Sequence, residues 1–117
     1  MEKLTKEQEY ELAKEMMKAL DDKKGMDVMI LEVGKKTVLT DYFVIATGTS
    51  GTHVNALADE VEFKLKTDHK ISPMSVQGKN EWVLMDYGFV VVHIFTQEAR
   101  KHYNLEKLWE NAEVIAE

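Results

Sequence analysis

The sequence contains no cysteine and only one proline among its 117 residues. The lack of cysteine excludes disulfides, thiolate nucleophiles and cysteine-bearing zinc sites, and it is typical of a reducing compartment. No uninterrupted apolar run approaches the roughly 18 residues that span a bilayer, and the charged residues 1–7 lack the apolar region of a signal peptide. We therefore expect a cytoplasmic protein with no membrane contact.

Basic residues are outnumbered, with 15 Lys and Arg against 21 Asp and Glu and a formal net charge of −6. Because nucleic-acid affinity comes mostly from neutralising phosphates with Lys and Arg, this balance argues against broad binding of nucleic acids. A basic protein is the more natural partner. With 44% apolar residues the chain can bury a core, and its length predicts one domain over residues 1–117.

The first half of the chain predicts two helices and two strands. Thr5 followed by Gln8 has the spacing of a capping box, and Gly25 is placed to end the first helix in the left-handed conformation. The runs 27–33 and 41–48 are apolar on both faces, as in strands of a covered sheet. A second helix is predicted after a Gly/Ser/Thr loop, from apolar residues at three- and four-residue steps: Val54, Leu57, Ala58, Val61 and Leu65.

The second half predicts three strands and a final helix. An extended passage at 74–76 precedes a turn at 77–80, and the runs 81–86 and 89–95 predict an antiparallel hairpin. One helical stripe in the tail contains Leu105, Leu108, Trp109, Ala112 and Ile115. The order α, β, β, α, β, β, β, α indicates an α/β (α+β) fold, with one mixed sheet flanked by helices.

Most catalytic arrangements are missing, so we expect no enzyme, no metal and no cofactor. The four histidines form no H-E-x-x-H pair, no carboxylate pair follows Gly48 on a predicted strand, and Asp86 stands alone. One alternative is an enzyme that binds a nucleotide or phosphate at the Gly48–Thr52 loop, where a strand leads into a helix. The simpler interpretation is that Ser50 or Thr49 caps that helix.

Large amphipathic aromatic residues in the second half suggest a protein-binding face. Trp82, Tyr87, Tyr103 and Trp109 occur near several acidic residues, as in a surface that binds a basic partner. Trp109 also fits the apolar stripe of its predicted helix, where it would fill the core. His93 lies among valines on a predicted strand and therefore points either to the core or to a functional surface.

Five stretches of the sequence resemble the ribosomal silencing factor (RsfS, Iojap-like) family: 41–50, 52–58, 82–88, 90–93 and 103–109. The resemblance implies a fold like that of nucleotidyltransferases without their catalytic carboxylates. It also implies binding to a basic protein of the large ribosomal subunit, at the face that meets the small subunit. A factor bound there blocks subunit association and represses translation under nutrient limitation. A homodimer and, at most, peripheral contact with ribosomal RNA are further expectations.

The resemblance also indicates which residues contact the partner. We expect contacts from the Trp82–Gly88 segment and from the tail, with Glu106 supplying charge complementarity. Two positions depart from the family's pattern, because Phe89 and Gln77 stand where acidic residues are usual, and each change removes negative charge from the proposed face. The predicted partner-binding residues are Trp82, Leu84, Asp86, Tyr87, His93, Tyr103, Leu105, Glu106 and Trp109.

Overall fold

A computed structural model describes residues 4–34, 40–103, 107 and 112–116. The elements are α1 (Lys6–Asp22), β1 (Met26–Glu32), β2 (Tyr42–Gly48), α2 (Gly51–His69), β3 (Ser75–Lys79), β4 (Trp82–Asp86), β5 (Val90–Thr96), α3 (Gln97–His102) and β6 (Glu113–Ala116). The strands form one six-stranded sheet in the order β3-β4-β5-β2-β1-β6. The β2 and β5 strands pair in parallel and the other neighbours are antiparallel, which confirms the predicted mixed sheet.

The α1 helix begins as predicted and ends differently. The Thr5 N–H donates to Gln8 Oε1 at 2.9 Å and the Gln8 N–H donates to Thr5 Oγ1 at 3.1 Å, which confirms the capping box. The prediction for Gly25 was wrong, since Lys24 takes the left-handed conformation with φ of 64°. Gly25 instead approaches α1 closely, and a Cβ there would lie 2.9 Å from the Leu20 carbonyl oxygen.

The two faces of the sheet are covered unequally. On one face, strand residues such as Ile30, Val44 and Val92 pack beneath α1 and α2. On the other face, Ile45 and Phe95 pack with Ala99 of α3. The sheet therefore has helices on both faces, as predicted. All five apolar positions predicted for α2 are buried: Val54, Leu57, Ala58, Val61 and Leu65.

The tail does not end in a helix. Residues 113–116 form β6, in which Val114 lies opposite Leu31 of β1. The prediction of a helix was wrong there because β1 offers an open edge and β-branched residues such as Val114 and Ile115 suit a strand. A helix that the sequence did not reveal, α3, begins after Thr96, whose Oγ1 accepts from the Ala99 N–H at 3.1 Å.

The predicted hairpin of β4 and β5 is confirmed, but the turn before it is shifted. Residues 77–79 belong to β3, and the chain reverses at Asn80 and Glu81. Asn55 of α2 holds this turn, since its side-chain amide donates to Asn80 Oδ1 at 2.8 Å and its Oδ1 accepts from the Asn80 N–H at 2.9 Å.

Within the described residues, no helix has the length and hydropathy needed to cross a membrane.

Candidate protein-binding surface

Four of the predicted site residues lie together on the sheet face opposite α1 and α2. Side chains alternate along a strand, so Trp82, Leu84 and Asp86 of β4 share this face with His93 of β5. Leu84 lies directly opposite His93 in the antiparallel pair. We call these four residues the open face. Trp82, Leu84 and Asp86 are half-buried, so a partner can reach part of each side chain.

His93 forms the floor of the open face. It is 4% exposed, and its ring meets that of Phe43 edge-on, with centroids 4.7 Å apart. Its Nδ1 accepts from Trp82 Nε1–H at 3.4 Å, whereas its Nε2 is buried without a hydrogen-bond partner in the described structure. Burial lowers the pKa of His93 to about 4, so the ring is neutral at pH 7. His93 therefore orients Trp82 and brings no charge.

Tyr103 extends this aromatic surface from the end of α3. Its side chain is 51% exposed, and its ring centroid lies 6.1 Å from that of Trp82, within the range of aromatic pairs. A cleft of about 260 Å³ beside it is lined by two carboxylates, those of Glu81 and Glu98. The structure thus brings an exposed aromatic ring next to two acidic groups that are separate in sequence.

Tyr87 does not belong to the exposed surface. It is 5% exposed and packs in the core beneath the helices, so its position gives no support to the prediction that it contacts a partner. The turn after β4 is tight, because Asp86 Oδ1 accepts from the Gly88 N–H at 2.8 Å. Asp86 lies on the open face, and Tyr87, one residue later, lies on the opposite face. Burial, with a smaller effect from the Glu62 charge, raises the pKa of the Tyr87 hydroxyl.

Three predicted contacts, Leu105, Glu106 and Trp109, lie outside the described residues.

The two departures from the family pattern can be located. Gln77 is exposed on β3 and pairs with Leu84, so it borders the open face. Phe89 instead packs against the core beneath the helices. Its replacement of an acidic residue therefore does not remove charge from the open face, contrary to the sequence-based expectation.

Thr49 and Ser50 of the Gly48–Thr52 loop form hydrogen bonds within the protein. The Thr49 N–H donates to His53 Nδ1 at 2.9 Å, and Ser50 Oγ caps α2 by accepting from the His53 N–H at 3.2 Å. His53 Nε2 lies 2.8 Å from the Lys23 carbonyl oxygen and donates to it. Because the imidazole occupies the Thr49 N–H, that donor is unavailable to a phosphate, and the Ser50 cap is confirmed.

The described residues contain no group of three or more histidine or acidic side chains placed to hold a metal ion.

Together, the fold and the open face define a small mixed α/β protein with an aromatic surface and a neighbouring pair of carboxylates. Comparison with known proteins identifies the family of this chain. The model of the family "Ribosomal silencing factor during starvation" matches residues 6–117, and the chain belongs to this family.

Individual relatives of known family support this assignment. The chain is 40% identical over 96 residues to the ribosomal silencing factor RsfS of Bacillus subtilis, covering 80% of each protein. It is 31% identical over 101 residues to the mouse protein "Mitochondrial assembly of ribosomal large subunit protein 1", covering 80% of this chain and 43% of the mouse protein. A crystal structure of a Chromobacterium violaceum protein matches with a TM-score of 0.80 and 39% identity, covering 86% of this chain and 85% of the other. Membership places the chain in ribosome assembly or translation regulation.

Proposed function

We propose that this chain binds a basic protein of the large ribosomal subunit through the open face and Tyr103. Bound at the face that meets the small subunit, it excludes that subunit sterically and lowers translation when nutrients are short. It acts in the cytoplasm, and no step requires catalysis. The observation that carries the proposal is the half-buried Trp82, which lies between His93 and Tyr103. Glu81 and Glu98 line the cleft beside Tyr103.

The composition of this surface suits a specific interface. Tryptophan and tyrosine dominate binding energy where they are packed near the centre of an interface. Trp82 is held in place by its hydrogen bond to His93 and by the Tyr103 ring, so little side-chain freedom remains to be lost on binding. Glu81 and Glu98 complement a basic partner and would speed its approach.

Steric exclusion needs only a modest interface. Specific protein complexes bury roughly 1,200–2,000 Å² in total, which a domain measuring 39 × 32 × 23 Å can supply from one face. The name of the mouse relative refers to assembly of the large ribosomal subunit, and this favours the large subunit over the small one as the binding site.

The test compares Trp82→Ala with Tyr87→Phe in co-sedimentation with purified large ribosomal subunits. Loss of a central tryptophan should weaken binding by about 2 kcal/mol or more, which is roughly 30-fold in Kd. Tyr87→Phe removes a buried hydroxyl that no partner can reach, so it should bind like the parent. Circular dichroism and thermal unfolding establish that both variants are folded. Equal binding by Trp82→Ala and the parent would overturn the assignment of this surface.

A further inference from the structure

A second surface lies along α1, on the side of the sheet away from the open face. There, the N-terminal part of α1 and the chain after α2 enclose a groove of about 770 Å³. Its apolar lining includes Leu4, Leu12 and Ile71. Leu12 is buried and the other two are half-buried, so the groove has an apolar floor that is partly open to solvent.

The rim of this groove is acidic. Glu7, Glu11 and Glu15 lie four residues apart on α1, so their carboxylates form a row along one side of the helix. Among the described residues, no Lys or Arg lines the groove. Lys14 contacts Glu11 at 3.4 Å from outside the groove, but both side chains are largely exposed and such pairs contribute little. Glu15 Oε2 lies 2.7 Å from Nε2 of His69, an imidazole that also lines the groove.

We propose that this groove binds a basic amphipathic helix of a protein partner. The apolar side chains of that helix would enter between Leu12 and Ile71, while its Lys or Arg residues lie against the three glutamates. An apolar floor beside a row of carboxylates matches a ligand that is apolar on one face and cationic next to it. A nucleic acid or an acidic peptide would be repelled, and an uncharged ligand would gain nothing from the row of carboxylates.

The position of the groove makes the proposal independent of the proposed ribosomal function. The groove is formed by helices that cover one face of the sheet, whereas Trp82 and Leu84 lie on the other. A partner bound along α1 therefore leaves the open face free. The chain can hold two proteins at once, which would allow it to bring a second factor to the particle that it binds.

The first experiment uses two fluorescein-labelled synthetic peptides of leucine and lysine. One places its leucines at three- and four-residue steps, and the other has the same composition in scrambled order. Fluorescence anisotropy with the full chain should show tighter binding of the amphipathic peptide. If the scrambled peptide binds equally well, only general charge attraction is at work and the groove proposal is wrong.

The second experiment locates the binding site. The triple variant Glu7→Gln/Glu11→Gln/Glu15→Gln should weaken binding of the amphipathic peptide by about tenfold, because three charge contacts are lost together. The matched control is Asp22→Asn/Asp59→Asn/Glu62→Gln, which removes the same charge at exposed positions outside the groove and should bind the peptide as the parent does. Equal weakening by both variants, or a larger effect of the control, would overturn the assignment.

A third variant tests the apolar floor. Ile71→Ser keeps the charge of the groove and should also weaken binding of the amphipathic peptide, with thermal unfolding measured to establish that the variant is folded. Trp82→Ala should bind this peptide unchanged, even if it no longer binds large subunits. Unchanged peptide binding by a folded Ile71→Ser variant would contradict the proposal.

Discussion

The environment of His93 determines both its charge and its effect on stability. The ring is buried beside Phe43 and Trp82, and no described acidic group hydrogen-bonds its Nε2. Protonation would place a positive charge in this apolar setting and would remove Nδ1 as the acceptor for Trp82. The neutral ring is thus part of the arrangement that holds Trp82 on the open face.

This residue should make the fold less stable in mild acid. Burial lowers the pKa of His93 from 6.5 in the unfolded chain to about 4, so between these values the unfolded chain binds more protons than the folded one. The stability contributed by the neutral ring is complete above pH 6.5 and is lost as the pH falls towards 4. The total effect is about 3 kcal/mol. Urea unfolding at several pH values measures it.

His93→Leu provides the control, because it keeps an apolar side chain at this position and removes the titrating group. Other groups contribute the same pH dependence to both proteins, so the difference between them isolates His93. The parent should lose more stability than His93→Leu between pH 6.5 and 4. Parallel stability curves for the two proteins would contradict the assigned burial and neutral state.

For single residues, the sequence shows which side chains are present, but it does not show on which face of the sheet each one lies. Trp82 and Tyr87 both lie near hairpin turns and both suit an interface, yet one is half-buried on the open face and the other is in the core. The difference follows from strand alternation, since Trp82 shares its face with Asp86, whereas Tyr87 comes one residue after Asp86 and faces the helices. Tertiary packing decides which of the two alternating faces is buried beneath the helices, and composition alone does not predict it.

The hairpin of β3 and β4 presents Trp82 and depends on an unusual glycine. Gly78 has φ of 79°, and a Cβ at this position would collide with the carbonyl oxygen of Trp82 itself. Asn80, at φ of 66°, completes the turn and is held by the side chain of Asn55. The position of the tryptophan therefore rests on the backbone geometry of its partner strand.

Gly78→Ala should destabilise the protein by about 2 kcal/mol or more, since it combines a left-handed alanine with a backbone collision. Chemical denaturation measures the loss. The neighbouring substitution Gln77→Ala is the control, because its exposed side chain lies in the same strand and its removal should change stability by less than about 0.5 kcal/mol. A fully stable Gly78→Ala variant would show that the hairpin geometry is not required.

Elements whose stability is local were predicted well, and those that depend on distant pairing were not. The α2 spacing predicts its five buried residues because a helix buries one side at fixed intervals. Ala112 and Ile115 also fit a helical interval, but residues 113–116 pair with β1, an edge that lies about eighty residues earlier in the chain. The α3 helix is short and polar, so its sequence carries little periodic signal.

The whole molecule separates two surfaces on opposite sides of one sheet. The parallel pairing of β2 with β5 places Phe43 against His93 of the open face. The sequence predicts a mixed sheet and its main helices but not this strand order, which depends on contacts between separate halves of the chain. The prediction of one domain over residues 1–117 remains a prediction.

Nucleotides should not stabilise this protein. The Thr49 N–H already binds His53, and the His53 N–H binds Ser50 Oγ, so two of the donors at the start of α2 are not available to a phosphate. Ligand binding to the folded state alone at a hundredfold excess over Kd would add roughly 2.7 kcal/mol of stability. Thermal unfolding with ATP, GTP or CTP plus Mg²⁺ should therefore show no shift. A reproducible increase in Tm would revive the nucleotide-binding alternative.

The most direct test of the central claim is sedimentation of large and small bacterial ribosomal subunits mixed with this protein. The protein should co-migrate with the large subunit, and the yield of joined ribosomes should fall as its concentration rises. Trp82→Ala should restore joining at concentrations where the parent blocks it. If the protein migrates with no particle, or binds the large subunit while joining proceeds at full yield, the proposal of steric exclusion is wrong.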